Sequence, residues 1–180
     1  MRIGVIGTGA IGMPMTQQVL SHGFDVRFYA RRSEVIEQLQ SLGGQYCSRK
    51  ELGEFCDTIL LILNSYAQCL ECVQEILSTM LSGQIIVHST ISPYEMETLE
   101  QLCNNRGVEL VAAPITGGVA GACQGTLTII AGGKKAVIDM LRPIFSSFGT
   151  NIIYTGENVA SAAATKLLVQ MLVGIHTAAT

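Results

Sequence analysis

The sequence predicts an α/β fold with a doubly wound, mostly parallel sheet. Three observations carry that expectation. Strand-like and helix-like segments alternate along about 150 residues with little linker between them. The run Asp57–Leu63 (DTILLIL) is continuously apolar after its first two residues, as a strand buried on both faces should be. The first strand-like run feeds straight into a glycine turn and then an apolar helix-like segment. A chain of 180 residues fits one domain with room for an extra element. A chain of that size buries about 70% of its unfolded surface.

The elements follow in order. Ile3–Ile6 is a short β-rich strand, and Ile11–Leu20 an apolar helix. Pro14 falls in that helix's first turn, where its missing N–H would be unpaired anyway. Asp25–Ala30 reads as a strand. Ser33–Leu42 reads as a helix, capped by Ser33 and stopped by Gly43-Gly44. After the Asp57–Leu63 strand, Ala67–Leu81 has helical periodicity, and Gln84–Val87 is another buried strand. Pro93–Arg106 is a helix with Ser92 as its N-cap. Val108–Val111 and Thr126–Ala131 are strands, Lys134–Phe148 a helix and Asn151–Tyr154 a last strand. No repeat or low-complexity tract interrupts them.

The opening turn is Gly7-Thr8-Gly9-Ala10-Ile11-Gly12, a Gly-x-Gly-x-x-Gly motif between a strand and a helix. In that setting it reads as a dinucleotide-binding, Rossmann-type turn. Gly7 makes the tight turn, Gly9 admits the pyrophosphate, and Gly12 packs helix on strand. Free N–H groups at the helix start would face the phosphates. About 20 residues on, a carboxylate would hold the ribose 2′-hydroxyl of NAD. The chain has Tyr29-Ala30-Arg31-Arg32-Ser33 there, with no acid. Arg31, with Arg32 beside it, can meet a 2′-phosphate through a charge-assisted bond worth roughly 1.5–3 kcal/mol. That is about a tenfold to hundredfold preference. NADP is therefore expected over NAD.

Composition excludes other classes. Apolar residues are 48% and charged ones 14%, too apolar for disorder. Net charge is −3 with no basic block, which argues against nucleic acid. Cys47, Cys56, Cys69, Cys72, Cys103 and Cys123 are scattered, with no second pair at zinc-finger spacing. Cys69-Leu-Glu-Cys72 falls inside a helical pattern, so the cysteines read as reduced core thiols and no metal site is expected. Residues 1–20 lack a cleavable-signal pattern, and the expected setting is cytoplasmic. His22, His88 and His176 are single and read as structural, although His88 falls near the expected nicotinamide end.

Four motifs in order then resemble the β-hydroxyacid dehydrogenase family, which includes 3-hydroxyisobutyrate dehydrogenase and tartronate semialdehyde (glyoxylate) reductase. Gly12-Met13-Pro14-Met15-Thr16 is similar to the family's G-x-P-M-A. His88-Ser89-Thr90-Ile91-Ser92-Pro93 is similar to its S-T-I-x-P. Ala112-Ala113-Pro114-Ile115-Thr116-Gly117-Gly118, followed by Gly125-Thr126-Leu127, is similar to its D-A-P-V-S-G-G and G-T-L. Gly156 with Lys166-Leu167-Leu168-Val169-Gln170 is similar to its G…K-x-x-N-N or K-x-x-N-Q. The chain departs from the family at Ala112, Thr116, Val169 and Asn64, where aspartate, serine, asparagine and proline are usual.

The resemblance implies hydride transfer between a nicotinamide and a small 3-hydroxy acid or semialdehyde. Leu63, Asn64 and Thr90 would line the nicotinamide end. The substrate carboxylate would sit on Thr116, Gly117 and Gly118, whose backbone N–H groups can form an anion nest. Lys166 would be the general acid/base, because burial lowers a lysine pKa toward proton exchange. Gln170, one helical turn on, would bind the same substrate. A catalytically weak or inactive NADP-binding module, or an imine-reductase-like enzyme, is the alternative, and the retained Lys166 argues against the latter.

From Val159 to Thr180 nearly every residue is apolar or small. A helix apolar all round is expected to be buried all round. A membrane span fits its length but not its mid-helix Lys166 and Gln170. The resemblance divides the chain into a dinucleotide-binding domain, residues 1–156, and the start of an interdomain helix, residues 157–180. That helix leads into an all-helical domain in the family, and the chain stops inside it. Association with a second copy through the exposed helix is expected.

Overall fold

The computed structural model describes residues 1–179. Its sheet has six parallel strands: β1 (Arg2–Ile6), β2 (Asp25–Tyr29), β3 (Gln45–Tyr46), β4 (Thr58–Leu61), β5 (Gln84–Val87) and β6 (Glu109–Ala112). Their spatial order is β3-β2-β1-β4-β5-β6. A smaller sheet follows, β7 (Ile115–Thr116), β8 (Leu127–Ala131) and β9 (Gly149–Tyr154). Within it β7 pairs antiparallel with β8, and β8 parallel with β9. An antiparallel bridge between Ala112 and Gly132 ties the two sheets together.

Among the described residues seven helices connect the strands, α1 (Gly12–Ser21), α2 (Ser33–Ser41), α3 (Arg49–Phe55), α4 (Tyr66–Ile76), α5 (Pro93–Asn104), α6 (Gly118–Gln124) and α7 (Lys135–Phe148), and an eighth, α8 (Val159–Ala178), follows the last strand. They form two layers because strand side chains alternate between faces. Ile59 and Leu61 of β4, Ile85 and Val87 of β5, and Leu110 of β6 point into one core with α3, α4, α5 and the start of α8. Leu60, Ile86 and Val111 point the other way, into a core with α1, α2 and α7. Both faces are covered, so the central strands carry no polar face. That is why β4 reads as an unbroken apolar run.

The structure corrects several expectations. Ser33 is not the cap of α2. Arg32 holds the N-cap position without a side-chain cap bond, and Ser33 is already helical. The chain leaves β2 so tightly that the helix begins one residue sooner than the serine suggested. Segments α3 and α6, of seven residues each, and strands β3 and β7, of two each, carry too few residues for a period to show. Helix α4 ends at Ile76, five residues before the expected Leu81, which stands exposed in the connection to β5. Five of the six cysteines are buried, but Cys123 is exposed on α6 rather than in the core.

The capping reading of α5 holds. Ser92 accepts from the Glu95 N–H, and the Glu95 carboxylate accepts from the Ser92 N–H, a reciprocal pair. Helix α8 packs its first half against α5, β6 and β8. Val159, Ala162, Ala163 and Lys166 are buried there, but Leu168, Met171, Leu172 and Ile175 are about half exposed. The four buried positions form one stripe, with Leu167 and Leu168 already exposed beside it, so the burial on all sides expected for so apolar a helix is not met. Among the described residues α8 is also the one helix long and apolar enough to cross a membrane, by length and composition alone.

Candidate functional site

The chain leaves β1 toward β2 on one side of the sheet and later returns to β4 on the other. A parallel sheet opens a crevice at such a reversal, at the carboxyl ends of its strands. A cleft of about 560 Å³ lies there. That is the size of a small-molecule or cofactor site. Three loops wall it: Ile6–Gly9 after β1, Tyr29–Arg32 after β2, and Ile62–Asn64 after β4. Gln68, Glu71 and Cys72 of α4 and Arg49 of α3 complete the wall.

The glycine turn has the form a diphosphate needs. Gly7 has φ +103°, and a Cβ on it would collide with the Ile62 carbonyl of the neighbouring strand end. A Cβ on Gly12 would strike the Gly7 carbonyl, so this glycine lets the turn close on itself as well as letting the helix pack. Gly9 is different: a Cβ there meets no protein atom within 4 Å. Its missing side chain leaves room on the cleft side, not in the fold. No side chain caps α1, whose N-cap is Ile11. The start of the helix is thus available to an anion. Together these features fit a dinucleotide.

Arg31 and Arg32 are exposed just past β2, on the cleft wall. Arg32 Nη2 donates to the Thr8 carbonyl at 3.4 Å, which folds its guanidinium back toward the glycine turn. The loop after β4 is fixed by two backbone bonds. The Leu63 N–H donates to Ser89 Oγ at 3.0 Å, and the Asn64 N–H to Gln68 Oε1 at 3.1 Å.

The remaining predicted residues lie outside the wall of this cleft. Ala10, Ile11 and Gly12 form the back of the turn. Thr90 is exposed beyond the end of β5. Thr116 ends β7, and Gly117 and Gly118 open α6 on the surface, with Gly117 at φ +125°. Lys166 is 5% exposed, and its Nζ donates to Gln170 Oε1 at 2.9 Å. Burial lowers the Lys166 pKa from its usual value. The structure thus joins Lys166 to Gln170, and joins the glycine turn to Arg31, Arg32, Leu63 and Asn64.

Sequence reasoning missed Tyr29, Arg49, Gln68, Glu71 and Cys72. Gln68, Glu71 and Cys72 share one helical face directly after the predicted loop, a spacing that would have found them. Arg49 gave no such signal, because it reaches the cleft from a different crossover.

A family model described as the NAD binding domain of 6-phosphogluconate dehydrogenase matches residues 2–156. The chain is 31% identical to L-threonate dehydrogenase of Cupriavidus necator, over 98% of this chain and 61% of that one. It is 32% identical to 2-hydroxy-3-oxopropionate reductase of Escherichia coli, over 88% of this chain and 56% of that one. Among solved structures, 3-hydroxyisobutyrate dehydrogenase of Mycobacterium tuberculosis, with L-serine, superposes with a TM-score of 0.93 over 99% of this chain and 62% of that one. At 24% identity that likeness speaks to the fold. The chain spans about 60% of the length of the relatives it matches.

Proposed function

The chain belongs to the β-hydroxyacid dehydrogenase family through its nicotinamide-nucleotide-binding domain, and on that premise we propose that it serves an NADP-dependent dehydrogenase or reductase of small 3-hydroxy acids and semialdehydes. The observation that carries the proposal is the cleft at the strand-order reversal, with open space at Gly9 and two arginines in place of an acid after β2. Gly7–Gly9 and the start of α1 would hold the diphosphate. Arg31 and Arg32 would hold the 2′-phosphate, and Leu63, Asn64 and Thr90 would line the nicotinamide end. A bound nicotinamide would supply the hydride chemistry.

The rest falls to the chain's own side chains. Thr116, Gly117 and Gly118 would receive the substrate carboxylate. Lys166 would give or take the proton on the substrate oxygen, and Gln170 would orient it. The Lys166 environment supports that role: it is out of water and hydrogen-bonded to a neutral amide, so its ammonium holds its proton less tightly than an exposed one.

Lys166→Ala tests the assignment. In the full natural protein, assayed with NADPH or NADP on a panel of small hydroxy acids and semialdehydes, it should lower turnover by roughly a hundredfold or more. NADPH affinity should stay unchanged. Undiminished turnover would end the assignment. NADPH binding without activity on any member of the panel would favour a nucleotide-binding module instead.

A further inference from the structure

Arg49 is the first residue of α3, next to the capping residue Ser48. Its side chain crosses to α4 and is held there at several points. Nε pairs with Glu75 Oε2 at 2.9 Å, and Nη1 pairs with Glu71 Oε1 at 2.9 Å. Nη1 also lies 3.3 Å from Cys72 Sγ, and the guanidinium carbon stands 5.4 Å from the centre of the Tyr29 ring. Tyr29 ends β2, two residues before Arg31. Arg49 therefore sits on the same wall of the cleft as Arg31 and Arg32, although it comes from another helix.

The two carboxylates are not equivalent. Glu75 is outside the cleft wall, and its side chain is 30% exposed. Glu71 is on the wall and 65% exposed, and among the described residues it is the only acid there, against three arginines. The Arg49 side chain is 20% exposed, so only the Glu71 end of this pair is in water, where solvent screens its carboxylate and weakens the pair. A guanidinium already anchored at Nε keeps its orientation when the partner on its other edge changes. A phosphate dianion, with three acceptor oxygens, is a stronger partner than one solvated carboxylate.

We propose that Arg49 is a third determinant of 2′-phosphate selectivity, tethered by Glu75 and covered by Glu71 until the phosphate of the adenosine ribose displaces that carboxylate. The inference rests on the NADP reading above and adds a residue to it. It places opposite effects on the two members of one ion pair. Removing the arginine removes a phosphate ligand. Removing Glu71 removes the phosphate's competitor and a repulsive charge.

The test is the dissociation constant for NADPH and for NADH, read from nucleotide fluorescence, and for 2′,5′-ADP against 5′-AMP by calorimetry. Arg49→Met should weaken NADPH and 2′,5′-ADP by about tenfold and leave NADH and 5′-AMP unchanged. Arg49→Lys should recover part of that loss. Glu71→Gln, an exposed site that does not threaten folding, should tighten the two 2′-phosphorylated ligands by several-fold and leave the others alone. If the unmodified protein prefers NADPH while both variants keep its NADPH-to-NADH ratio, the inference on Arg49 is wrong and the NADP reading stands. Glu71→Gln weakening the 2′-phosphorylated ligands would also overturn it. If the unmodified protein does not distinguish the two nucleotides, the NADP reading fails and this inference falls with it.

Discussion

His88 is sealed between the sheet and α7, with the Phe145 and Phe148 rings edge-on at 6.3 and 5.6 Å. Its Nδ1 lies 2.7 Å from the Ala113 carbonyl, which can only accept, so Nδ1 carries the proton. Nε2 is buried with no hydrogen-bond partner among the described residues. Protonating it would place a charge among aromatic rings, and burial pushes the pKa from 6.5 down to about 4. The unfolded chain therefore takes up a proton below about pH 6.5, while the native one resists until about pH 4. Stability from this residue is complete above pH 6.5 and is lost as the pH falls across that window, by on the order of 3 kcal/mol. His88→Asn keeps a donor for Ala113 without a titrating group. Urea unfolding of the variant should show a shallower loss of stability between pH 6.5 and 4, even if it is less stable at pH 7. An unchanged slope would mean that other groups set the acid limit.

The β1–turn–α1 unit separates fold from function within six residues. Gly7 and Gly12 answer to the protein, since a side chain on either strikes backbone. Gly9 answers to the space in the cleft. Gly9→Ala should therefore melt within a few degrees of the unmodified protein yet lose most of its NADPH affinity, whereas Gly12→Ala should lose both. Thermal unfolding followed by NADPH titration distinguishes them. Normal affinity in a stable Gly9→Ala protein would move the diphosphate away from this turn. The unit was legible because its strand, glycines and helix are contiguous. The buried strands were legible because Ile59, Leu60 and Leu61 have nothing polar to expose. Helices α3 and α6 were not, being two turns long. Nor was the wall formed by Arg49 and Glu71, whose meeting depends on two crossovers packing side by side. Motif order placed Lys166 and Gln170 on one helix face, and the helix joins them as its period requires.

At the scale of the whole molecule, the strand order sets where a ligand can bind. The parallel sheet, its central strands buried on both faces, opens a crevice where the chain reverses direction across it. The loops after β1, β2 and β4 meet there although they are far apart in sequence. They supply it with an uncharged glycine turn and, from the loop after β2, two arginines. That combination matches a molecule with a diphosphate in its middle and a further phosphate on its adenosine. Lys166 and the surface glycines at the start of α6 are not among the residues that wall this cleft, so nucleotide binding and proton transfer are tested by separate variants. The most direct measurement is a fluorescence titration of the unmodified protein with NADPH and with NADH at equal ionic strength. The account predicts saturable binding of both, with NADPH tighter by about tenfold or more. No binding of either nucleotide, or equal affinity for the two, would contradict it.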